Sequence, residues 1–152
     1  MASVAEVWLA DDLAGLGDDP LPRLKTDLYR CGRETGWTPG RVVWASEPYV
    51  IHHGIEWRAA RERSEVRMRV SVFAPVIGFV GGEEETHAWG AAYVDAPRLT
   101  SWWSRAGWLL PDPAWLNAPC TASDLAQLDP RTARDLRYWR ELSRGDALFF
   151  EW

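Results

Sequence analysis

The chain has 152 residues and a composition 47% hydrophobic and 26% charged, without internal repeats or low-complexity linkers, which predicts one globular domain spanning 1–152. Its net charge of −5 opposes nucleic acid and anionic membrane, and no apolar run approaches a membrane span, so neither partner class is expected. Cys31 and Cys120 lack metal-ligand spacing and the N-terminus lacks a basic n-region, so a reducing, cytoplasmic setting is expected, with both thiols acting as small apolar residues.

Tryptophan stands out: eleven of the residues are Trp, against four Tyr and four Phe. Size scaling gives about 17,000 Å² buried on folding, whereas eleven indoles need about 2,200 Å². A core can hold them all, so abundance alone does not define a binding surface.

In chain order, Asp19-Pro20 reads as a cap followed by proline in the first turn, and Leu21, Leu24, Leu28 and Cys31 then recur at helical spacing up to Gly32. From Arg41 to Val94 the period changes to two. Glu65 to Val72 alternates four polar with four apolar residues, a strand covered on one face only. Ile55 to Ala59 alternates as well, and a tight turn at Glu62-Arg63 would pair Ala59 with Val66, Trp57 with Met68, Ile55 with Val70 and His53 with Val72. In that register Glu56 meets Arg69.

Gly81-Gly82 and the triplet Glu83, Glu84 and Glu85 read as a loop before a further strand, Thr86 to Val94, which carries His87, Trp89 and Tyr93 on one side. Pro97 opens a helix on which Leu99, Trp102, Trp103 and Ala106 form one stripe ending at Gly107. Pro111-Asp112-Pro113 reads as a rigid connection. Thr121 to Asp124 and Ser143 to Asp146 have capping-box spacing. Asp129-Pro130 starts another helix, with Ala133, Leu136 and Trp139 on one face and Arg131, Arg134 and Arg137 on the other. The expected class is therefore α+β: a single antiparallel sheet of about 4 to 6 strands over residues 41–95, packed against N-terminal and C-terminal helices.

The tail from Asp135 to Trp152, DLRYWR followed by Gly145-Asp146 and the closing FFEW, resembles the C-terminal ends of uncharacterised actinobacterial proteins. Those ends read roughly as DLRYWRP, Gly-acidic, FNxWD. This chain has Glu141 where they carry proline, and differs again at Phe150 and Glu151. The resemblance implies a bacterial, actinobacterial setting and no particular activity.

Chemistry-bearing residues are few. GxSxG, P-loop, GxGxxG and Cys-His signatures are missing, and His52, His53 and His87 have no metal-binding spacing, so neither a cofactor nor a metal is expected. His52 and His53 point to opposite faces of one strand. Two functions fit. The first is a small acidic interaction protein, of the immunity or antitoxin type, covering a basic partner with Glu83, Glu84 and Glu85 and with the N-terminal Asp11, Asp12, Asp18 and Asp19. The alternative is a small-molecule protein or an enzyme of the cyclase or isomerase kind. Its Trp-lined cavity would hold His53, Trp57, His87, Trp89 and Tyr93, with His53 and His87 as acid and base. A homodimer contact through the aromatic tail fits either function.

Overall fold

The computed structural model describes residues 21–45, 52–59, 64–72, 75–81, 92–126, 134, 137 and 142–149. Helix α1 (Leu21–Thr35) leads into strands β1 (Trp37–Val43), β2 (His52–Ala59), β3 (Ser64–Ser71) and β4 (Ile77–Gly81). Helices α2 (Pro97–Arg105), α3 (Pro113–Asn117), α4 (Ala122–Ala126) and α5 (Arg144–Phe149) follow. The strands form one antiparallel sheet in the order β1-β2-β3-β4. The fold is α+β.

Helix α1 buries Leu24, Leu28 and Cys31 as its spacing predicts, but it runs through Gly32 to Thr35. It stops at Gly36, whose φ of 74° is the left-handed conformation that ends a helix without steric cost only for glycine. The expected stop at Gly32 is therefore four residues early. Gly32 has an ordinary helical environment, and a Cβ there would meet only loose contacts at 3.4 to 3.5 Å. The sheet likewise starts at Trp37 rather than at Arg41. Pro39 sits there on an edge strand, next to a bulge between Pro39 and Val42, where a missing amide proton is tolerated.

The β2–β3 hairpin has the predicted faces and a different register. Ile55 pairs with Met68, Trp57 with Val66, His53 with Val70 and Ala59 with Ser64, two residues away from the expected pairing. Glu56 consequently meets Arg67 instead of Arg69, and Arg58 meets Glu65, with 3.8 Å between Nε and Oε1. A slip of two leaves every side chain on its own face, so alternation cannot detect it. The connecting residues 60–63 lie outside the described residues.

The sheet separates two cores. On one face Ile55, Trp57, Met68, Val70, Ile77 and Phe79 pack against Leu24, Leu28, Leu99, Trp102, Trp103 and Trp108 of the α1 and α2 layer. Trp103 is central, edge-to-face with Trp57, Trp102 and Trp108 at centroid distances of 6.4, 5.1 and 5.5 Å. Such geometry adds about 0.5–1.5 kcal/mol per pair beyond the area buried. On the other face Val80 joins Tyr93, Leu116, Leu142, Ala147, Leu148 and Phe149. Coverage of β3 on one face only does not hold, because Arg69 and Ser71 are buried at 6% and 0% exposure. Helix α5 lies against that side of β3.

Both predicted capping boxes form. Asp124 N–H donates to Thr121 Oγ1 at 3.0 Å and Thr121 N–H to Asp124 Oδ2 at 2.9 Å. Ser143 and Asp146 repeat the exchange at 3.0 and 3.2 Å. Arg144 Nε donates to Asp124 Oδ2 at 3.1 Å and ties the two caps together. The helix read from Asp129-Pro130 falls mostly outside the described residues. Within it, Arg134 and Arg137 are helical and exposed.

Candidate functional site

Strand β4 is an edge of the sheet, and two short segments cover parts of it. Towards the C-terminal end of this edge Val94 N–H donates to Phe79 C=O at 2.9 Å, within an antiparallel bridge between Val80 and Tyr93. Towards its N-terminal end Leu109 runs parallel to the strand: its N–H donates to Pro75 C=O at 2.9 Å and its C=O accepts from Ile77 N–H at 2.8 Å. The next rung of that parallel ladder would need residue 111 to donate to Ile77 C=O. Residue 111 is proline and has no amide proton, so the ladder ends and the chain diverges.

Between the two segments lies an open cleft of about 730 Å³. That is within the size of ligand pockets. Its walls are mostly apolar, with Ile77, Phe79, Val94, Leu110, Pro111 and Leu116 among them, and Asp95, Thr100 and Asp112 supply polar groups. Asp95 Oδ1 accepts from Thr100 Oγ1 at 3.3 Å, and both Asp95 and Asp112 are exposed. Asp112 also caps α3, accepting Ala114 N–H at 2.8 Å. The Asp112-Pro113 pair thus starts a helix and is not a plain connection.

The floor of the cleft is held rigidly. Asn117 clamps the Tyr93 backbone, accepting its N–H at 2.8 Å and donating to its C=O at 2.9 Å. The Tyr93 ring fits a slot with Gly78 and Gly145 on its sides: a Cβ at Gly78 would come within 2.9 Å of the ring, and one at Gly145 would overlap it. Arg69 donates to the Tyr93 hydroxyl at 3.1 Å. Burial pushes that phenol up to about 12 despite the arginine.

Other ionisable groups are buried or half-buried elsewhere in the fold. Burial, reinforced by the Arg69 charge, lowers His52 to about 4, so it is neutral at pH 7. Burial raises the Asp146 carboxyl above its ordinary range, outweighing its bonds to Ser143 and the attraction of Arg69. For Asp124 burial also pushes upward, but the Thr121 amide and Arg144 prevail and hold it below its ordinary value. Burial pushes Cys31 up to about 12 and Cys120 up to about 11, so both thiols stay protonated at neutral pH and neither is a ready nucleophile.

The residues expected to line one cavity are distributed as follows. His53 and Trp57 lie on the α1 and α2 side of the sheet, where Trp57 has no exposed surface and packs on Trp103. His53 is buried too, its Nδ1 accepting the Ala45 N–H at 2.9 Å, with Trp44 edge-on at 5.5 Å. Tyr93 belongs to the opposite core. The structure therefore does not bring Tyr93 together with His53 and Trp57. His87, Trp89 and the Glu83, Glu84 and Glu85 triplet lie outside the described residues, as do Asp11, Asp12, Asp18 and Asp19. Among the described residues no cluster of three or more His, Cys, Asp or Glu side chains could hold a metal ion, and no helix is long and apolar enough to cross a membrane.

Charge is unevenly placed. Helices α1 and α2 carry Arg23, Lys25, Arg30, Arg33, Arg98 and Arg105 against Asp27 and Glu34, although the chain as a whole is acidic. Asp27 is the exception to the α1 stripe. It is buried, and accepts Trp108 Nε1–H at 2.9 Å and Arg23 Nε–H at 3.2 Å. The β4 cleft meets this layer at Thr100 of α2 and carries Asp95 and Asp112 in its own lining. No family model, curated protein or solved structure matches the chain.

Proposed function

We propose that this chain is a small interaction protein, of the immunity or antitoxin type, that acts by covering a basic segment of a partner protein. The observation that carries the reading is the open β4 cleft, whose apolar walls and two carboxylates, Asp95 and Asp112, suit an apolar segment bearing lysine or arginine. The overall charge of −5 would steer such a partner inward. The burial of His52, His53 and Cys31, and the raised thiols of Cys31 and Cys120, support binding over catalysis as the use of this fold.

Co-expression with the product of the adjacent reading frame tests the proposal. A stable complex by size exclusion is expected, weakened at least tenfold by Asp95→Arg combined with Asp112→Asn, the second chosen because asparagine still caps a helix. A complex indifferent to both changes, or a small molecule co-purifying in native mass spectrometry, would count against it and favour the small-molecule alternative.

A further inference from the structure

Helix α2 separates two sites of opposite charge. On one flank Thr100 borders the β4 cleft with its exposed carboxylates, Asp95 and Asp112. On the other flank Arg98, Ser101 and Arg105 line a second open groove, of about 510 Å³, between α2 and the end of α1. Helical spacing makes the division: Arg98, Ser101 and Arg105 recur at three and four positions, whereas Thr100 falls across the helix from Arg98. Both arginines are exposed. The groove's one carboxylate, Glu34, is engaged, accepting Trp102 Nε1–H at 2.6 Å. The six basic and two acidic side chains of α1 and α2 leave that layer at +4 and the rest of the chain at −9. A surface that carries both signs side by side is complementary to a second copy of itself.

We infer that the free protein is a two-fold dimer in which Arg98 and Arg105 of each copy cover Asp95 and Asp112 of the other. Charge decides the symmetry. A two-fold axis lying across α2 sets cleft against cleft and groove against groove, like charge on like. An axis lying along α2 sets each cleft against the other copy's groove, and does so twice. The two α2 helices then run parallel and meet at their exposed crests, where Ser101 and Ser104 are short enough to let the flanking arginines reach across. Leu110 and Pro111 in the cleft wall accept the arginine methylenes while the guanidinium meets a carboxylate. This inference rests on the cleft being a site for a basic segment, and it adds the regulation of that site: the dimer masks both clefts until the basic partner displaces the second copy.

The test is sedimentation velocity on the full chain, which should be dimeric at about 100 µM, as a micromolar self-affinity gives. Arg98→Glu with Arg105→Glu makes both sites acidic, and Asp95→Arg with Asp112→Asn makes both basic. Each double variant alone should dimerise at least tenfold more weakly than wild type. Mixed together, the two should form a heterodimer within fivefold of the wild-type affinity, because one native and one charge-swapped contact then close the same two-fold arrangement. Formation of that heterodimer also shows that both variants are folded. A monomeric wild type, a double variant that dimerises undiminished, or a mixture that stays monomeric overturns the dimer and leaves the cleft as partner site. If the dimer behaves as expected while the co-expressed complex is indifferent to Asp95→Arg with Asp112→Asn, the partner reading falls and the masking role falls with it.

Discussion

The two faces of the sheet bury their residues by different means. Under α1 and α2 the core is aromatic and nearly free of charge, its buried carboxylate Asp27 satisfied by Trp108 and Arg23. Under α5 the interior includes His52, Arg69, Asp124, Arg144 and Asp146 beside Tyr93 and Phe149. The first face derives its stability from area and ring geometry, terms that change little with pH. On the second, stability depends on protonation and on close steric fit, because buried ions are costly unless each is paired. The cleft lies where the two faces meet at the β4 edge, lined by Ile77, Phe79, Val94 and Leu110 from the first core and by Tyr93 and Leu116 from the second.

Four experiments would break or sharpen that contrast. The largest loss is expected from Trp103→Ala, about 3–5 kcal/mol from lost burial plus the cavity left behind, read by urea denaturation. It should be nearly independent of pH. The second face should instead respond to acid. His52 is held neutral in the fold while the unfolded chain takes up its proton more readily. Its contribution is therefore fully present above the ordinary value of 6.5 and lost as pH falls towards about 4. The full effect is about 3 kcal/mol. Asp146, with its raised carboxyl, works in the opposite sense, giving stability that is lost as pH rises through its folded value. Denaturation of wild type and His52→Gln across that range isolates the histidine, and a slope unchanged in His52→Gln would refute the assignment.

Steric fit is the next test. Gly145→Ala puts a methyl into the Tyr93 ring and should cost about 1–3 kcal/mol, whereas Gly54→Ala, with nothing within 4 Å of the new methyl, should stay within about 0.5 kcal/mol. A thermal melt of each variant decides, and equal melting temperatures would show that the slot is slack. The smallest effect belongs to the caps. Thr121→Ala and Ser143→Ala should each lose about 1 kcal/mol. Because Arg144 joins Asp124 to the second cap, the double variant should deviate from additivity.

Local rules made much of this legible. Apolar residues at helical spacing marked the α1 and α2 stripes, and Trp57, Trp102 and Trp103 are core as that spacing implies. Capping boxes at Thr121 and Ser143 were readable because the bonds span only three residues. Alternation assigned Ile55, Trp57, Met68 and Val70 to one face and separated His52 from His53. The β4 cleft carried only a faint signal, a proline in Pro111-Asp112-Pro113 where a ladder would otherwise continue.

What the sequence determined by itself, then, is whatever repeats with the period of a helix or strand: fold class, buried stripes, caps and face parity. The tertiary structure alone decided the two-residue register, the burial of Arg69 and the opposite placement of Trp57 and Tyr93. Each of these depends on which distant segment covers a given face, and side-chain periodicity has no term for that. The same holds for the tryptophans. Their number says that large rings must be buried somewhere, and only packing shows that Trp57, Trp102, Trp103 and Trp108 fill one core and that none of these four lines the open cleft.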